Sequence, residues 1–131
     1  ALVKALSSTR LKPTIVFHVN HANEIDAEVT QAIEPLLAAR IPLFNQSVLL
    51  KGVNDNANIL AQLSERLFDS GIQPYYLHLF DKVQGVAHFD ITESVAKKIT
   101  LELMAILPGY LMPKLVREIA GEANKTLINL T

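Results

Sequence analysis

An α/β fold with parallel strands is what the sequence predicts, on three observations. Short β-branched apolar runs alternate with longer segments whose apolar residues recur at helical spacing. The links between them are short, and strand–helix–strand order with short links implies parallel strands joined by right-handed crossovers. Half of the 131 residues are hydrophobic, enough for one packed core. On the residues alone, the β–α units fit either an open α/β sheet or part of a barrel.

Residues 1–8 read as the last turns of a helix with no start, and no Met opens the chain, so it is expected to be a single partial domain, 1–131, of a longer protein. Residues 14–19, Thr-Ile-Val-Phe-His-Val, are short and β-branched, as in a buried strand. Asp26 is placed to N-cap a helix over 27–39, in which Val29, Ile33, Leu36 and Leu37 share a face and Pro35 lies inside the pattern. A central strand is expected near 43–49. Its flanking Asn45, Gln46 and Ser47 would be held where a ligand meets them. Gly52 supplies a bend, and Asn54 or Asp55 would cap the next helix, over 58–70, which Gly71 stops.

A third strand is predicted over 73–79 and a polar loop over 80–89. Thr92 caps a helix over 93–106, and Pro108 with Gly109 breaks it. Residues 112–119 make a fourth strand, 121–126 a polar turn, and 127–131 a short last strand.

Composition removes several function classes. Charges nearly balance and the basic residues are scattered without interleaved aromatics, so no nucleic-acid partner is expected. No apolar run has membrane-spanning length and no signal-peptide pattern opens the chain, so a cytoplasmic protein is expected, with no membrane partner. Cysteine is absent, which excludes disulfides, Cys-ligated zinc and an iron–sulfur cluster bound by this chain alone.

In parallel α/β architectures functional groups gather on the loops after the strand C-termini. That rule puts the polar stretches at 18–24, 51–55, 78–88 and 118–125 on one rim. His18 and His21 lack an obvious third metal ligand, so a hydrogen bond to a ligand or to a neighbour is the expected role. Glu24 reads as an acid leading into the next helix. Asp81 and Glu118, at neighbouring strand ends, could converge on a substrate ammonium or could be solvated acids paired with Lys82 or Arg117. Lys125 on its turn could form a Schiff base if its amine sheds its proton, or could be an ordinary loop lysine.

Taken together, the segments resemble the lysine 2,3-aminomutase family of radical S-adenosylmethionine enzymes. The match is carried by residues 18–24 (His-Val-Asn-His-Ala-Asn-Glu), 45–55 (Asn-Gln-Ser-Val-Leu-Leu-Lys-Gly-Val-Asn-Asp) and 74–76 (Pro-Tyr-Tyr). Asp81, the stretch 85–89, Gly109, Tyr110, Pro113 and the closing 121–126 (Gly-Glu-Ala-Asn-Lys-Thr) add to it. It runs from about Leu11 onward. The subgroup it is most similar to is the bacterial enzymes that make (R)-β-lysine for modifying translation elongation factor P.

The resemblance implies the C-terminal part of a TIM-like (β/α) barrel and the isomerisation of L-lysine to β-lysine by a radical 1,2-amino shift. It implies three cofactors: a [4Fe-4S] cluster, S-adenosylmethionine and pyridoxal phosphate. By position, Lys125 would hold pyridoxal phosphate, Asp81 and Glu118 would face the substrate's side-chain ammonium, and His18 and Gln46 would contact S-adenosylmethionine. Glu118 is longer than the Asp that the family's fermentation enzymes have there.

The family's CxxxCxxC cluster motif is missing from this chain, so the fragment alone is expected to be inactive. The alternative is a non-catalytic α/β binding module that kept the fold and binds a partner or a small ligand. A half barrel exposes strand edges, so a homo-oligomer is expected.

Overall fold

A computed structural model describes residues 13–80, 91–118, 126–128 and 130. The elements are β1 (Ile15–Phe17), α1 (Ala27–Ala38), β2 (Leu43–Val48), α2 (Ala57–Asp69), β3 (Gln73–Phe80), α3 (Glu93–Ile106), β4 (Lys114–Glu118) and β5 (Thr126–Leu127). They form one five-stranded sheet in the order β1-β2-β3-β4-β5, with β1 to β4 mutually parallel and β5 antiparallel to β4.

The parallel strands therefore lie side by side in chain order. A doubly wound sheet would reverse its strand order partway and carry helices on both faces. Repeated right-handed crossovers without reversal put every helix on the same face, the arrangement of a β/α barrel segment. The core confirms the one-sided layering. Leu77, Leu79 and Leu115 from the sheet, with Leu49 just after β2, pack with Leu60 and Ala61 of α2 and Ala96, Ile99 and Leu103 of α3. Beside them, Leu43 packs with Ile33 and Leu36 of α1 and Leu63 and Leu67 of α2, joined by the half-buried Ile15 and Phe17.

Local signals set most boundaries. Asp26 Oδ1 accepts from the Val29 amide at 2.9 Å, and Thr92 Oγ1 from the Val95 amide at 3.2 Å, so both predicted N-caps form. The first helix runs through Pro35 to Ala38. Gly71 ends α2 with φ +89°, and Gly52 makes its bend with φ +78°, both in the region glycine enters without steric cost.

The predicted cap of α2 is corrected. Neither Asn54 nor Asp55 caps it. Asn56 does, its Oδ1 accepting from the amides of Asn58 at 2.8 Å and Ile59 at 3.3 Å. The reason is competition. Asp55 Oδ1 accepts from the Gly52 amide at 3.1 Å, and the Asn54 amide is used inside the fold.

The helix tail expected at 1–8, the polar loop expected at 80–89 apart from Phe80, which ends β3, and the polar turn expected at 121–126 apart from Thr126, which opens β5, lie outside the described residues, Asp81 and Lys125 among them. So does the side chain of Glu118, whose backbone ends β4.

Candidate functional site

The sheet face away from the helices is where strand alternation separates roles. Along β2, Leu43, Asn45 and Ser47 are buried on the helix side, while Phe44, Gln46 and Val48 are half-buried on the other. Of the three polar residues expected to meet a ligand, only Gln46 faces the open side. The period of two sends Asn45 and Ser47 into the interior.

A register shift between Asn45 and Gln46 alters the neighbouring strand. Asn45 pairs with Pro74 but Gln46 pairs with Tyr76, so Tyr75 is the extra residue. Consecutive tyrosines then reach one face. Tyr75 lies 5.4 Å from the Phe44 ring and 4.2 Å from the Tyr76 ring, centroid to centroid. The Lys114 ammonium sits 5.8 Å from the Tyr75 ring centre, within cation–π range. A hydrogen bond with Tyr75, then burial, then the charge of Tyr75 push the Tyr76 phenol above its ordinary pKa.

His78 stands next to this group. It is only 5% exposed, its Nε2 lies 3.0 Å from Gln46 Oε1, and its ring is edge-on to Tyr76 at 5.9 Å. The open face thus offers an amide, two phenols and an ammonium, with the buried imidazole of His78 behind the amide. Such a surface can hold a polar organic molecule by stacking and directed hydrogen bonds.

The loop after β1 is fastened to this sheet by asparagines. Asn45 Oδ1 accepts from the Val19 amide at 2.8 Å, and its Nδ2 donates to the Val19 carbonyl at 3.0 Å. Asn20 Oδ1 accepts from the Val48 amide at 2.8 Å, extending β2's pairing with a side chain. Asn54 Nδ2 donates to the carbonyls of Asn20 and Val48, and its Oδ1 accepts from the Leu50 amide. Arg66 of α2 closes the far end, donating from Nε and Nη2 to the Ile25 carbonyl at 3.2 and 2.9 Å.

His18 directly follows β1 and is exposed. His21 bonds a neighbour, its Nδ1 accepting from the Asn23 amide at 3.1 Å. Glu24 does more than lead the helix, because its Oε2 accepts from the Asn20 amide at 3.1 Å and closes the loop on itself. Arg117, weighed as a partner for Asp81 or Glu118, forms an ion pair with Glu93 at the start of α3. Among the described residues, no group of three or more His, Asp or Glu is placed to hold a metal ion, and no helix is long and apolar enough to cross a membrane.

Sequence reasoning did not pair His78 with Gln46 and did not single out Asn20. Their partners are 32 and 28 residues away, so no local spacing marks them. The one available signal is Asn45, a polar residue at a position where a buried strand usually carries an apolar one.

No family model matches the chain. Curated relatives do. L-lysine 2,3-aminomutase of Escherichia coli K12 is 51% identical over 130 residues, 99% of this chain and 38% of that protein. The Haemophilus influenzae protein of the same name is 57% identical over 122 residues, 93% of this chain and 36% of its own. That of Buchnera aphidicola subsp. Baizongia pistaciae is 53% identical over 129 residues, 98% and 38%. The chain therefore spans somewhat over a third of the length of these relatives. Over nearly its whole length, the chain is thus similar to a part of proteins named L-lysine 2,3-aminomutase.

Proposed function

We propose that this chain is the C-terminal part of an L-lysine 2,3-aminomutase, an isomerase that moves the 2-amino group of L-lysine to the adjacent carbon. The observation that carries the reading is identity of 51–57% to three proteins of that name across nearly the whole chain. In such an enzyme S-adenosylmethionine and an iron–sulfur cluster supply the radical, and pyridoxal phosphate supplies the carbonyl that carries the nitrogen.

The residues here suit part of that equipment. Gln46, held on the open face, and His18, exposed after β1, are the proposed contacts of S-adenosylmethionine. A half-buried amide flanked by aromatic rings fits a molecule with a heteroaromatic base and polar hydroxyls. Asp81 and Glu118 are proposed to receive the substrate's side-chain ammonium, which needs a carboxylate partner once desolvated. Lys125 is proposed to hold pyridoxal phosphate. The cluster does not fit this chain, which has no cysteine, so its ligands must come from elsewhere in the protein. A cytoplasmic, homo-oligomeric enzyme is part of the same proposal.

The test is the full-length protein, purified without oxygen and reconstituted with iron, sulfide and pyridoxal phosphate. L-lysine with S-adenosylmethionine should give β-lysine, read by mass spectrometry after derivatisation. A fully loaded preparation that forms none overturns the reading. Lys125→Ala should remove the pyridoxal phosphate absorbance band, and a retained band would assign that cofactor to another lysine.

A further inference from the structure

A glutamine amide has two chemically opposite ends, and an unrestrained side chain presents either of them. Gln46 is restrained. Its Oε1 lies 3.0 Å from His78 Nε2, and His78 is nine-tenths buried. The imidazole has little room to move. Its ring stands at 67° to Tyr76, and its own carbonyl accepts from the Leu49 amide at 2.9 Å, tying that residue of β3 to the end of β2. With a proton on Nε2, His78 donates to the Gln46 oxygen, and the two amide N–H groups are turned toward the open face.

We infer that His78 is a positioning residue: it locks Gln46 as a hydrogen-bond donor toward an acceptor group of bound S-adenosylmethionine. This rests on the function proposed above and adds a residue to it. Because an amide flip would replace two donors with an acceptor, the lock discriminates in favour of ligand oxygens and ring nitrogens over N–H groups at that spot.

Equilibrium binding of S-adenosylmethionine to the full-length, reconstituted protein tests this by calorimetry under anaerobic conditions. Four forms are compared: wild type, His78→Phe, His78→Gln and Gln46→Ala, together with the double variant of Gln46→Ala and His78→Phe. Pyridoxal phosphate absorbance and the thermal midpoint report folding independently of the ligand. His78→Phe should weaken binding about tenfold, the effect of one lost neutral hydrogen bond. His78→Gln, which keeps an N–H donor, should restore most of it.

In the Gln46→Ala background, adding His78→Phe should change nothing further, since the residue through which it acts is gone. Unchanged affinity in His78→Phe overturns the inference, as do effects that add in the double variant. If His78→Phe loses the absorbance band, the comparison of His78→Gln with wild type decides, and weaker binding there overturns the inference too. A wild-type protein that forms β-lysine but gains no affinity from Gln46 also overturns it, leaving the proposed function standing. A wild-type protein that binds no S-adenosylmethionine overturns the proposed function itself.

Discussion

The side-chain amide of Asn54 donates to the backbone carbonyl of Asn20 at 2.9 Å, across 34 positions of sequence. It joins the turn after β2 to the loop after β1, the two loops that flank Gln46 and His18. Asn54 is fully buried, and all of its bonds are to backbone. Removing one partner of a buried hydrogen bond costs the desolvation of the group left behind, so this residue holds the loops more firmly than its size suggests.

Asn54→Ala should therefore destabilise the protein by about 2–4 kcal/mol in urea unfolding, since two carbonyls and one amide lose their partner. Asn56→Ala removes only the cap of α2 and should cost about 1 kcal/mol. Equal costs at the two positions would contradict the assignment of cap and buried latch.

Gly71→Ala should destabilise by about 1–2 kcal/mol, because φ of +89° is unfavourable for any side chain with a Cβ. An added Cβ would also come within 2.7 Å of Leu37 Cδ2. Leu37 is partly exposed and can move aside, so a Leu37→Ala background should recover little of the loss. Full recovery would mean that crowding, not backbone strain, sets the cost. Thermal melts of the two single variants and the double variant make the comparison.

Tyr76 should ionise above the ordinary phenol range in an alkaline absorbance titration, and Tyr75→Phe should bring it down by removing the hydrogen bond that is the largest cause of the shift. The sign for stability follows from linkage. A raised folded-state pKa contributes stability that is complete below the ordinary value of about 10 and is lost as pH rises through the folded value. A Tyr76→Phe variant should lack the late titration phase, and a phase that persists belongs to another tyrosine.

The 131-residue chain expressed by itself should self-associate. Among the described residues β1 borders the sheet, and Val16 and Tyr75 are exposed on its open side. Unpaired strand edges and uncovered apolar faces favour pairing. A single monomeric mass by light scattering across concentrations would contradict this.

The sequence by itself determined the order and kind of the described elements. Helical spacing of Leu60, Leu63 and Leu67, the caps Asp26 and Thr92, and the stop at Gly71 act within one turn of chain, so they are readable locally. Tertiary structure alone decided which polar residue does what. Asn45 turns inward to Val19, Asn54 leaves helix capping to Asn56, a register shift brings Tyr75 and Tyr76 to one face, and His78 meets Gln46. Each of these depends on the register of one strand against another or on a partner 26 to 34 residues away. A side-chain amide or imidazole takes whichever buried partner the packed crossovers bring within reach, and that choice has no counterpart in local propensity.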